Sequence, residues 1–181
     1  MFTVQRHRDL FTAIRDLSEA SRQVTTSTLL AHLPEDYSDA GPTIGIIASL
    51  NVPALVVVPR LELLFQTRER FASRLGTHTD DIGIIGSGKW EPATITIANV
   101  QALSSKKRAV EIAEFLGTVQ CLIFDEAHLA SADTWMKLGL RCPAHWRFAF
   151  SGTAMVDDDV RNLKLIGIIG PVLAELKADE L

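Results

Sequence analysis

Cysteine is scarce in this chain, with only Cys121 and Cys142 among 181 residues, far apart and without metal-ligand spacing. Two such cysteines exclude a disulfide framework and make a reducing cytoplasm the expected setting. Cys121 sits inside an apolar run and reads as a small core residue. An excess of positive charge is also missing: 18 Lys and Arg stand against 22 Asp and Glu, a net charge of −4. That argues against a surface gripping nucleic acid everywhere, yet leaves room for one basic strip, because affinity follows local phosphate neutralisation. Long hydrophobic runs are absent, since Asn51, Pro53, Pro59 and Arg60 break the longest apolar stretches, so no membrane span is expected. Arg6, Arg8 and Asp9 interrupt any secretory signal. Aromatics are few, and Tyr37, Trp90, Trp135 and Trp146 show no stacking pattern, so they read as packing residues.

What is present suits one soluble domain over residues 1–181, with 47% hydrophobic and 22% charged residues. Leu10, Phe11, Ile14 and Leu17 recur at helical spacing within 8–18, and 24–33 reads as a first strand. A polar loop over 34–41 follows, then a helix over 42–50 with proline at its favoured first position. The run 54–58, bounded by prolines, suits a strand buried on both faces, and 61–75 a helix stopped by Gly76. Strands are expected at 81–85 and 94–100, joined through a glycine-rich turn, then a helix at 108–116 and strands at 119–124 and 147–150. Alternating strands and helices predict a mostly parallel sheet with helices on both faces. Ligands of such folds collect at the carboxyl ends of strands, which directs attention to Pro59-Arg60, Asp125-Glu126 and Ser151-Thr153.

The strongest chemical signal is Leu122-Ile123-Phe124-Asp125-Glu126-Ala127-His128. An aspartate at the tip of a buried strand can hold Mg²⁺, and the next glutamate can orient or deprotonate water attacking a γ-phosphate. Taken alone, the two acids equally suit the start of a solvated helix. Gly83-Ile84-Ile85-Gly86-Ser87-Gly88-Lys89 imitates a phosphate loop, but Trp90 and Pro92 follow, so a turn between strands explains it.

Four blocks in order resolve the choice at Asp125. Residues 53–66 (PALVVVPRLELLFQ), 95–103 (ITIANVQAL), Asp125-Glu126-Ala127-His128 and Phe150-Ser151-Gly152-Thr153-Ala154 resemble motifs Ia, the later nucleic-acid motif, II (in its DEAH form) and III of superfamily 2 helicases. The resemblance covers essentially the whole chain and is to the branch of phage recombination helicases and repair translocases. It implies a three-layer α/β/α RecA-like fold of the P-loop NTPase type, the first motor half of an ATP-dependent helicase or translocase of DNA repair or recombination. It implies ATP and Mg²⁺ as cofactors, with Gly41 and Thr43 at the nucleotide, Asp125 and Thr43 at the metal, and Glu126 at the hydrolytic water. It implies coupling roles for His128, Ser151 and Thr153, and a DNA or RNA track lined by Pro59, Arg60, Gln66, Asn99 and Gln101. Arg60 suits a bidentate phosphate contact, or else an ion pair with Glu62. Gln66 also fits an exposed helix position, and Asn99 stands where the family usually has threonine.

The stretch aligned with motif I, residues 34–43 (PEDYSDAGPT), departs from the family. Pro42 removes both the expected lysine and one N–H donor, and Glu35, Asp36 and Asp39 put carboxylates where an anion would dock. Nucleotide binding is therefore expected to be weak or absent, and Asp39 instead fits a helix cap. Arg8 falls where the family reads adenine, and Gln5 lies three residues early. The resemblance also implies a second RecA-like domain, in cis or in trans, that supplies arginine fingers worth roughly three to five decades in turnover. Without it, slow or no ATP hydrolysis is expected. The alternative is a non-catalytic helicase-like module that binds nucleic acid or a protein.

Overall fold

The computed structural model describes residues 42–127, 132–151 and 159–170. The chain divides into two compact units, one of residues 1–51 with 171–181 and one of residues 52–170. In the first, helix α1 (Pro42–Leu50) starts at the expected proline and buries Ile44, Ile46 and Ile47. Thr43 is its second residue and half-buried. Asn51 follows at φ 48°, donating its N–H to the Ile47 carbonyl (3.1 Å), a left-handed stop that asparagine tolerates. The expected helix at 8–18, strand at 24–33 and loop at 34–41 lie outside the described residues.

The second unit is built on a sheet ordered β3-β2-β4-β1-β5-β6. Its strands are β1 (Ala54–Val58), β2 (Ile82–Gly86), β3 (Lys89–Glu91), β4 (Ile95–Asn99), β5 (Cys121–Phe124) and β6 (Trp146–Ala149). All neighbouring pairs are parallel except β2–β3. Helices α2 (Leu61–Leu75), α3 (Ala109–Thr118), α4 (Ala132–Arg141) and α5 (Asp159–Ile169) cover it. Alternation along the strands divides the core. Leu55, Val57, Ile85, Leu122 and Phe124 cluster with Ile112 and Leu116 of α3, Trp135 and Leu138 of α4, and Ile168 of α5. On the opposite face α2 buries Leu64, Phe71 and Ala72. The fold is three-layer α/β with a mostly parallel sheet, as expected from the sequence.

Local chemistry explains the boundaries. Gly76, at φ 66°, ends α2 and returns its N–H to the Ala72 carbonyl. The glycine-rich segment differs from expectation: it does not join β2 to β4. Ser87 (φ 51°) and Gly88 (φ 82°) are the two central residues of a tight hairpin from β2 into β3, matching the left-handed pair of a type I′ turn. Strand β4 then inserts between β2 and β1. The phosphate-loop imitation is thus a hairpin.

Trp135 and Trp90 are packing residues, as expected. Trp135 is buried on Phe124 and donates its indole N–H to the Ala127 carbonyl (2.8 Å). Trp90 meets the edge of Phe115. Both cysteines are buried free thiols, and burial pushes Cys121 up to about 12, leaving it protonated and unreactive at neutral pH.

Arg147 on β6 holds two helix ends together. Its guanidinium donates to the carbonyls of Gly139 (3.0 Å), Cys142 (2.6 Å) and Ile168 (3.3 Å), and its Nε to that of Ala144 (2.9 Å). Carbonyls at the carboxyl ends of α4 and α5 lack intrahelical partners, and a cation there also meets the negative end of each dipole.

Candidate functional site at the carboxyl edge of the sheet

The carboxyl ends of four neighbouring strands are tied in one row by backbone bonds. Val100 N–H donates to Val58, Asp125 N–H to Val57, Phe150 N–H to Phe124, and Ala127 N–H to Phe150, at 2.8–3.1 Å. Along this edge lies a groove of about 670 Å³ lined by Pro59, Arg60, Leu61, Glu62, Leu63, Gln101 and Glu126. Residues distant in sequence meet here because β1 sits between β4 and β5.

Arg60 is exposed at the N-cap of α2, in extended conformation, with no side-chain cap bond. Among the described residues it makes no ion pair, so the pairing with Glu62 is not formed. Its guanidinium and the first turn of α2 (Leu61-Glu62-Leu63) both face the requirements of a phosphate. Glu62 and Glu126 oppose it.

Asn99 is placed differently from expectation. It is 1% exposed, and its amide spans two backbones, donating to the Val58 carbonyl (3.5 Å) and accepting from Gln101 N–H (3.1 Å). It therefore holds the loop that presents Gln101 and does not itself reach the surface. Gln66 is exposed on α2, one helical turn beyond the groove-lining residues. Pro59 is buried beneath the groove. Ser151 is exposed after β6, while Gly41, His128 and Thr153 lie outside the described residues. Sequence reasoning missed Leu61, Glu62 and Leu63 as lining groups; their adjacency to Arg60 at a helix start was the available signal.

At the tip of β5 the backbone turns sharply. Glu126 adopts φ 48°, a left-handed conformation that costs a non-glycine residue roughly 1–3 kcal/mol. Asp125 Oδ1 accepts the Glu126 N–H (3.1 Å). Burial and then the Glu126 charge raise the Asp125 carboxyl above its ordinary value, against the Glu126 N–H and Arg70, which lower it. Two adjacent half-buried carboxylates fit a divalent cation such as Mg²⁺, which takes hard oxygen ligands and needs only one or two from protein. Among the described residues no group of three or more His, Cys, Asp or Glu forms a complete cage.

A raised Asp125 pKa means the folded state binds that proton more tightly than the unfolded state. Stability from this group therefore falls as pH rises through the raised pKa. Asp125→Asn is accordingly expected to raise the melting temperature at neutral pH without added metal, and to remove any stabilisation by Mg²⁺. Thermal melts at two pH values with and without Mg²⁺ check both; a lower melting temperature at neutral pH contradicts the first.

Residues 40–155 match the family described as type III restriction enzyme, res subunit. The chain belongs to this family. It is also 27% identical over 150 residues to the DNA 3'-5' translocase XPB2 of Sulfurisphaera tokodaii, covering 82% of this chain and 32% of that protein. The chain thus spans about a third of that relative's length. Among solved structures it is similar to the UvsW helicase of bacteriophage T4 (17% identity, TM-score 0.55, 84% of this chain and 53% of that one). It is likewise similar to the Hef helicase domain of Pyrococcus furiosus (17% identity, TM-score 0.58, 76% and 33%). These two carry the fold, and the superfamily 2 helicase resemblance read from the four blocks holds for this family member. No described helix is long and apolar enough to cross a membrane.

Proposed function

We propose that residues 1–181 form the first motor half of an ATP-dependent DNA helicase or translocase of repair or recombination, with an altered phosphate loop. The observation that carries this reading is the groove in which Pro59 and Arg60, Gln101, and Glu126 converge from three adjacent parallel strands. One strand of nucleic acid lies along Arg60 and Gln101, with Gln66 farther along α2 and Asn99 positioning Gln101. By the family resemblance, Asp125 and Thr43 would be the residues to hold Mg²⁺, and Gly41 and Thr43 those to meet the phosphates of ATP. Glu126 would take the proton of the hydrolytic water, and the resemblance gives His128, Ser151 and Thr153 the link from nucleotide to track. A second RecA-like domain completes the ATPase site. DNA is favoured over RNA because the Sulfurisphaera tokodaii relative is a DNA translocase. The buried free thiols suit a reducing cytoplasm.

Pro42 favours a second reading, a binding module without catalysis. It is the first residue of α1, where the family's lysine would stand, and it brings neither an ammonium nor an N–H. Calorimetric titration with ATP and Mg²⁺ separates the two. Weak or no binding to the isolated chain is expected; micromolar affinity sinks the altered-loop account.

For the track, Arg60→Ala is expected to weaken single-strand binding about equally across sequences. It should also flatten the log–log salt slope by about 0.7, the share of one phosphate on a single strand. Anisotropy at several salt concentrations measures both, and an unchanged slope removes Arg60 from the track.

A further inference from the structure

The groove offers a phosphate one guanidinium but attracts a polyanion poorly, because its lining sets Arg60 against two carboxylates, Glu62 and Glu126. In a chain of net charge −4, attraction has to come from a local concentration of cations. The sequence has one run of three consecutive lysine or arginine residues, Lys106-Lys107-Arg108, and it follows Gln101 by five positions. At most about 18 Å of backbone separates Gln101 from Lys106. Two short 3₁₀ turns (Ala102–Ser104 and Lys106–Arg108) shorten that path.

This basic turn is held in place. Leu103 is buried beneath it, Ser104 Oγ donates to the Val100 carbonyl (3.0 Å), and Ser105 N–H to that of Ala102 (3.3 Å). Arg108 lies 5.4 Å from the centroid of the Trp90 ring and 3.9 Å from Glu111. Lys106 and Lys107 are exposed and make no ion pair among the described residues. Lys89, beside Trp90 on the hairpin, is 3.9 Å from Glu91 and exposed. The register Gly86↔Lys89 puts it at the carboxyl end of β2, the same edge as the groove.

Three cations directly before α3 oppose the helix dipole, which disfavours positive charge at an N-terminus. Arg108 as N-cap accepts no backbone N–H. The placement therefore breaks a local rule in a segment that is otherwise well packed, and a bound anion relieves both faults.

We infer that Lys106, Lys107 and Arg108, with Lys89, form a second phosphate-binding surface. It extends the Arg60–Gln101 groove toward the β3 edge and supplies most of the attraction for a single nucleic-acid strand. From β1 through β4 and β2 to β3 is three strand spacings, roughly 15 Å. At the roughly 3.4 Å per nucleotide of a stacked strand that is about four or five nucleotides, and fewer when the strand is extended. The inference rests on the groove being the track, and the test separates the two.

The experiment measures anisotropy of labelled oligothymidylate, about 15 nucleotides long, across a salt series with wild type, Lys106→Gln/Lys107→Gln, and Arg60→Ala. Both lysines are exposed and oppose the α3 dipole, so the double variant is expected to melt no lower than wild type. It should bind on the order of tenfold more weakly at 0.1 M salt, with a slope flattened by about 1.4. A wild-type slope in the double variant, with Arg60→Ala still flattening it, overturns the basic surface and leaves the track standing. A flattened slope in the double variant with Arg60→Ala silent supports the surface and removes the groove. Equal competition by polyglutamate points to an acidic protein partner and overturns the inference, as does no oligonucleotide binding by wild type.

Discussion

Glu126→Gln is expected to lower ATP hydrolysis by about two to four orders of magnitude in any assembly of this domain that turns ATP over, and to leave nucleotide binding intact. The amide keeps the shape of the carboxylate and cannot take a proton. A second consequence follows from the neighbouring acid. The Glu126 charge is one cause of the raised Asp125 pKa, so its removal returns Asp125 toward the ordinary carboxylate range. Steady-state turnover after supplying a second motor domain, with binding measured separately, checks the pair of outcomes. Equal turnover in the variant removes Glu126 from the mechanism.

Arg147→Met is expected to destabilise the fold by about 3 kcal/mol or more, lowering the melting temperature by roughly 6–12 °C. The methionine fills much of the volume but leaves four carbonyls of the α4 and α5 ends and the intervening loop without their donor. Part of that loss is the cost of acceptors that water reaches poorly, which is why it exceeds an ordinary surface change. Arg147→Lys retains the charge but not the planar fork, and one ammonium cannot meet four carbonyls spread over two helices. It should fall between wild type and the methionine variant. A thermal melt within about 2 °C of wild type for Arg147→Met contradicts this account of how α5 is held.

Which elements were legible in the sequence follows from the range of the interactions that determine them. β1, α2 and the Gly76 stop were legible to the residue because their signals are local: an apolar run between prolines, then a helical pattern ended by a glycine in left-handed conformation. The start of α1 was legible from Pro42 for the same reason. Strand β3 was not, since three residues of Lys-Trp-Glu carry no period and the insertion of β4 between β2 and β1 is a long-range choice. Helices α4 and α5 are absent from the expected elements, although Trp135 and Leu138 in α4 recur three apart, as one buried helical face requires. At the site, the edge itself could be read from apolar runs ending in polar residues. The burial of Asn99 could not, because its two partners come from β1 and from the residue after Val100. A lone arginine in a strand likewise gives no sign that it will serve two helix ends.

The central claim is that the groove on the β4-β1-β5 edge is where a nucleic-acid strand lies. Amide hydrogen exchange with and without single-stranded DNA tests it most directly, at a salt concentration where anisotropy shows the chain bound. The account predicts added protection over residues 59–64 and 100–103, at the start of α2 and the Gln101 turn, with none over α4 or α5. Protection confined to α4 and α5, with 59–64 and 100–103 unchanged, would contradict it.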